Sequence, residues 1–150
     1  MTSPSELTDH IGYWMRMVSN AVSQEFARKV SGEGVTVAEW SFMRALYELE
    51  PTPPSVLAER MGMTKGAISK LAERLTAKGL VAREENRDDK RAHNLSLTKR
   101  GRAKIPVLAS LADENDAEFF GVLTKEEHET LDRILRVLAE RRELKATPVD

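Results

Sequence analysis

The residues best suited to meeting a polyanion sit together at the start of one short segment. In "MTKGAISKLAERLTAKG", Thr64, Lys65 and Gly66 open the segment, and Ser69 and Lys70 follow three to four positions on. Positions three and four apart share one face of a helix. Hydroxyl and ammonium donors therefore gather on one side with Glu73 and Arg74, while Ile68, Leu71, Ala72 and Leu75 fall on the other. Small residues in the first turn let the helix N-terminus come close to phosphates and base edges. Exposed lysine and serine also decorate ordinary amphipathic surface helices, so this pattern alone divides evenly between the two accounts.

The adjoining stretch "EENRDDKRAHNLSLTKRG" tips the balance. A charge-rich segment is usually a solvated loop, but here the charge is unevenly placed along the chain. The formal net charge is −1, yet residues 60–104 carry 13 Lys/Arg against 5 Asp/Glu, and the remainder carries 10 against 19. A basic module on an acidic body is the electrostatic footprint of polyanion binding.

Other chemistry is poorly supported. His10, His93 and His128 lie in separate segments, and no glycine-rich phosphate loop, HExxH or GxSxG motif occurs, which argues against an enzyme. "EEHETLD" sets His128 and Asp132 four apart with Glu127 and Glu129 nearby. A divalent ion is conceivable there, but acids in a first helical turn already suit the dipole, so no metal is assigned. With no cysteine there is no disulfide, thiolate metal site or thiol sensor, and no cofactor is implied. The N-terminus lacks a signal-peptide pattern and no apolar run nears the roughly 18–20 residues of a bilayer span. No membrane association is expected, and the cytoplasm is the default compartment.

The elements that must position the polar face follow from periodicity and caps. Residues 6–30 carry apolar side chains at helical spacing, with Ser3, Pro4 and Glu6 suited to N-cap, N1 and N3. Thr36 and Glu39 make a capping box for a second helix whose stripe is Trp40, Met43, Leu46 and Tyr47. "EPTPP" breaks it. Ser55 to Met61 forms a short helix bracing the next through Val56, Leu57 and Met61, with Gly62 as its stop. Thr64 caps the polar-faced helix, and Gly79 closes it. "LVAREE" and "HNLSL" read as two strands joined by a charged hairpin. Thr98 caps a long helix containing Pro106, and Thr124 with Glu127 caps the last. Two short helices leading into a strand hairpin form a winged helix-turn-helix pattern.

The segments "LAERMGMTKGAISKLAERLTAKGLV" and "DDKRAHNLSLTKRG", the latter with Asp89-x-Arg91 and Leu97-Thr98-x-x-Gly101, closely resemble the core of the MarR family of regulators. The resemblance covers about 65 residues, and outside it the flanking helices match in order and length only. It implies a mainly α fold with a small β-hairpin wing: a winged helix-turn-helix lobe (36–101) flanked by dimerisation helices (6–30 and 102–145), within one domain spanning 1–150. It further implies a homodimer on palindromic double-stranded operator DNA, with two recognition helices in grooves about 34 Å apart. Arg91 falls at the wing tip, reaching into the minor groove, with Asp89 bracing the wing and Arg74 as its proposed partner. Many relatives carry Asp-x-Arg-Asp-x-Arg in this hairpin, whereas "NRDDKR" displaces Arg87 by one position.

The same resemblance implies a repressor released by a small-molecule effector such as an aromatic acid. His10, Trp14, Met17, Trp40, Met43, Arg44 and Tyr47 are the candidates to line its pocket, although aromatic and methionine stripes at helical spacing also build cores. The alternatives are a metal-responsive regulator and a winged-helix module that binds protein rather than DNA.

Overall fold

The computed structural model describes residues 2–85 and 93–145. Six α-helices and a two-stranded antiparallel hairpin follow one another: α1 (Ile11–Ser31), α2 (Val37–Leu49), α3 (Pro54–Met61), α4 (Lys65–Ala77), β1 (Val81–Glu85), β2 (His93–Leu97), α5 (Lys99–Phe120) and α6 (Lys125–Arg141). This is the winged-helix arrangement that the residue pattern implied. No described helix is long and apolar enough to cross a membrane.

The caps form where the sequence places them. The Thr36 hydroxyl accepts the Glu39 amide at 3.1 Å, and the Glu39 carboxylate accepts the Thr36 amide at 2.8 Å. Pro54 occupies the first turn of α3, where its missing N–H costs nothing. Gly62 ends α3 at φ 63, and the Thr64 hydroxyl accepts the Ala67 amide at 3.1 Å to start α4. That leaves a three-residue turn between the two short helices, which packs Leu57, Ala58 and Met61 against Ile68, Leu71 and Leu75 in the core. Val56, expected to share the bracing, is exposed; Ala58 takes the inward position instead.

Two further departures have clear causes. The first helix begins at Ile11, not near Glu6. A 3-10 turn at Leu7–Asp9 precedes it, held by the Glu6 amide donating to the Asp9 carboxylate (2.9 Å) and by the Trp14 indole N–H donating to the Thr8 carbonyl (3.0 Å). In α2 the inward face runs through Glu39, Phe42, Met43 and Leu46, so Tyr47 lies outside and Phe42 inside.

The hairpin is tied to the body at its base. Val81 pairs with Leu97 and Arg83 with Leu95, and Thr52 adds a bridge on the far side of Leu95 through bonds of 2.8 and 3.1 Å. The Glu50 carboxylate accepts the Leu97 amide at 2.8 Å and pairs with Arg102 of α5. Thr98 joins three elements: its amide donates to the Leu80 carbonyl (3.1 Å), its hydroxyl donates to the Gly79 carbonyl (2.7 Å) and accepts the Gly101 amide (3.0 Å). This draws the first turn of α5 so close that a Cβ on Gly101 would lie 2.0 Å from the Leu80 carbonyl oxygen.

Gly101→Ala should therefore force the α5 turn off the hairpin base and cost about 1–3 kcal/mol of stability. Urea denaturation checks this; an unchanged midpoint would show that the contact yields freely.

Candidate nucleic-acid interface

Helix α4 presents two opposed faces. Ile68, Leu71, Ala72 and Leu75 are buried, whereas Lys65, Gly66, Ser69, Lys70, Glu73 and Arg74 are exposed. Neither Lys65 nor Lys70 forms an ion pair among the described residues, so both ammonium groups remain available to phosphate. Thr64 spends one lone pair on its cap and keeps its O–H as a donor. Five of the expected residues, Thr64, Lys65, Gly66, Ser69 and Lys70, thus share the first turns of one exposed helix face.

The opposite end of α4 is anchored by a residue that sequence reasoning saw only as half of a capping box. Glu39 has no solvent exposure, yet its carboxylate collects the Thr36 amide and the Lys78 ammonium, each at 2.8 Å, with an Arg74 nitrogen at 3.4 Å. Lys78 also donates to the Gly34 carbonyl at 2.9 Å. Burial on its own would push the carboxyl pKa up, but the Lys78 and Thr36 hydrogen bonds and the two cationic charges outweigh it. They hold Glu39 below the usual carboxylate range. Among described groups the partner of Arg74 is therefore Glu39. Asp89, its expected partner, lies outside the described residues, as do Arg87 and Arg91.

The residues expected to line an effector pocket do not converge on one cavity within the chain. Met43 is in the core, because it shares the inward face of α2 with Glu39, Phe42 and Leu46. His10 precedes α1 in extended conformation, and Trp14 and Met17 stand on the exposed side of α1. Trp40 and Arg44 line a cleft of about 230 Å³ between α2 and α3, where Arg44 pairs with Glu48 at 3.1 Å. Tyr47 packs against the Arg44 guanidinium, 5.4 Å from ring centroid to carbon. Trp40 also borders a second cleft of about 190 Å³ between α1, α2 and α5, lined by Val22, Ser23, Phe26, Ala112, Asn115 and Asp116. Asn115 was the missed signal. It is a polar residue on the apolar stripe of α5, buried, with its amide donating to the Val22 carbonyl at 3.2 Å.

The acid and histidine group of α6 is engaged elsewhere. Glu127 caps Thr124, Asp132 pairs with Arg136 at 3.0 Å, and His128 lies edge-on to Phe120.

Comparison with known proteins agrees with this geometry. A family model described as the MarR family matches residues 33–92. A probable transcriptional regulator from Pseudomonas aeruginosa superposes with a TM-score of 0.79 at 31% identity, over 89% of this chain and 99% of that one. A cysteine-to-serine mutant of Escherichia coli MarR complexed with operator DNA gives 0.76 at 25% identity, over 85% and 92% of the two chains. The HTH-type transcriptional repressor MdtR of Bacillus subtilis (strain 168) is 29% identical over 127 residues, 85% of this chain and 82% of MdtR.

The Glu39 cluster makes a pH-dependent prediction. A carboxylate with a depressed pKa contributes stability above its ordinary value of 4.5 and loses that contribution as pH falls through the lower, folded value. Glu39→Gln should destabilise the protein by about 1–3 kcal/mol at pH 7. The gap should close in denaturation curves taken progressively below the ordinary carboxylate pKa. A gap that stays constant with pH would show that the charge of Glu39 is not what matters.

Proposed function

The chain belongs to the MarR family of DNA-binding transcriptional regulators, and from that membership we propose that it works as a homodimeric repressor on palindromic operator DNA. The observation that carries the dimer is α6. It has no buried residue, although Ile134, Leu135 and Leu138 line one side of it. Leu7, Ile11, Trp14, Met15 and Val18 add exposed apolar surface at the other end of the chain. Apolar side chains exposed in these numbers are costly to leave in water and suit an isologous contact with a second copy. Two copies would offer two α4 faces, matching the two half-sites of a palindrome.

In this reading Lys65 and Lys70 position the helix on phosphates, Thr64 and Ser69 reach base edges, and the wing adds Arg91 in the minor groove, with Asp89 as its brace. Arg74 contributes less than its exposure suggests, because Glu39 holds its guanidinium back. The effector site that the geometry favours is the α1–α2–α5 cleft beside Trp40 and Asn115. Its volume suits a single-ring molecule such as an aromatic acid.

Replacing both Ile134 and Leu138 with Glu should convert the protein to a folded monomer and weaken operator binding by about 100-fold, since one half-site contact is lost. Sedimentation and fluorescence anisotropy read the two effects. A variant that stays dimeric would remove α6 from the interface. Arg91→Ala should cost about 1–3 kcal/mol of operator affinity. Equal affinity would exclude the wing contact.

A further inference from the structure

Gly66 occupies the second position of α4 in ordinary helical geometry, and among the described residues a Cβ built there meets nothing nearer than the Thr64 hydroxyl at 4.0 Å. The fold has no use for a glycine at this place, and glycine is the least favourable helix residue after proline. Most other glycines of the chain have an internal reason. Gly34, Gly62 and Gly79 adopt positive φ, while a Cβ at Gly32, Gly101 or Gly121 would meet a backbone carbonyl oxygen at 3.3, 2.0 or 2.4 Å. The remaining exception is Gly12 of α1, beside exposed Ile11 on the face assigned above to a second copy. Both glycines without internal use thus lie on surfaces that lack a partner among the described residues.

We infer that Gly66 sets how deeply α4 enters the DNA groove: the duplex packs against its Cα, and an added methyl group holds the helix outward. The inference rests on the operator-binding reading. It follows from what surrounds the glycine. Lys65 precedes it and Ser69 and Lys70 lie one turn on, all exposed. The result is a low spot one side chain deep, with a hydroxyl in reach and an ammonium group on either side. Phosphate contacts by the two lysines tolerate a small outward shift, because the long side chains can follow. The short Ser69 hydroxyl has no such reach, so a shift costs base contacts first.

The test compares wild-type protein with Gly66→Ala on two duplexes of equal length, one recovered by in vitro selection with the wild-type protein and one of random sequence. Alanine should raise Tm by about 2 °C. It should weaken binding to the selected duplex by about tenfold or more while leaving the random duplex within about twofold, because the lysines that supply non-specific affinity are untouched. Unchanged affinity for the selected duplex overturns the inference, as does an equal loss on both duplexes or a lowered Tm. A wild-type protein that enriches no sequence in the selection overturns the operator reading, and this inference with it.

Discussion

Glu39 brings a charge into a place with no solvent, at the start of a helix whose neighbours are otherwise apolar. An isolated buried carboxylate would be prohibitively costly; here two donors on Oε1 and the Arg74 charge facing Oε2 make it tolerable. These partners come from two parts of the chain: the Thr36 amide at the entry of α2, and Lys78 and Arg74 at the exit of α4, with Lys78 reaching on to the Gly34 carbonyl. Apolar packing fixes α4 against α2 but resists sliding only weakly. Directional bonds to one carboxylate set its register. The outward angle of Lys65, Ser69 and Lys70 is a consequence of where the other end of their helix is held.

A second carboxylate does comparable work at the far end of α2. Glu50 takes the Leu97 amide on one oxygen and Arg102 on the other, so the hairpin base and α5 share an acceptor. Thr98 and Gly101 complete the junction, the first by capping and cross-linking, the second by having no side chain to obstruct the Leu80 carbonyl. α2 thereby links α4, the hairpin base and α5. The hydrophobic core supplies most of the driving force, while these few polar contacts decide the relative placement of α4, the hairpin and α5.

Much of this was legible in the sequence, for identifiable reasons. Capping boxes at Thr36 and Thr124, the Thr64 and Thr98 caps and the Gly62 stop act within four residues, so their spacing alone specifies them. The polar face of α4 followed from the same local periodicity. What escaped was long-range. Glu39 reads as a capping residue because its local bonds are visible, whereas Lys78 lies 39 positions away. The Leu95–Thr52 bridge joins a strand to a proline-rich break that looks only like a stop signal. The effector set mixed residues of both faces of α2, since a stripe containing Trp40, Met43 and Tyr47 does not say which way it turns until Glu39 pins it.

The same pinning bears on how an effector would act. A ligand shifts a conformational equilibrium only by binding one arrangement more tightly than the other. Trp40 borders the α1–α2–α5 cleft, and the residue before it is Glu39. A side chain displaced at Trp40 must therefore move a backbone already committed, one residue away, to bonds that leave no slack at 2.8 Å. α2 would have to shift as a body, taking α4 with it, or the Glu39 contacts would have to open and expose a charge to an apolar interior. The second course costs several kcal/mol by the penalty for unpaired buried charge, more than the typical coupling between allosteric sites of about 1–3 kcal/mol. Rigid-body movement of α2 with α4 is thus the cheaper response. In the proposed dimer it would change the spacing between the two α4 helices without disturbing either helix itself.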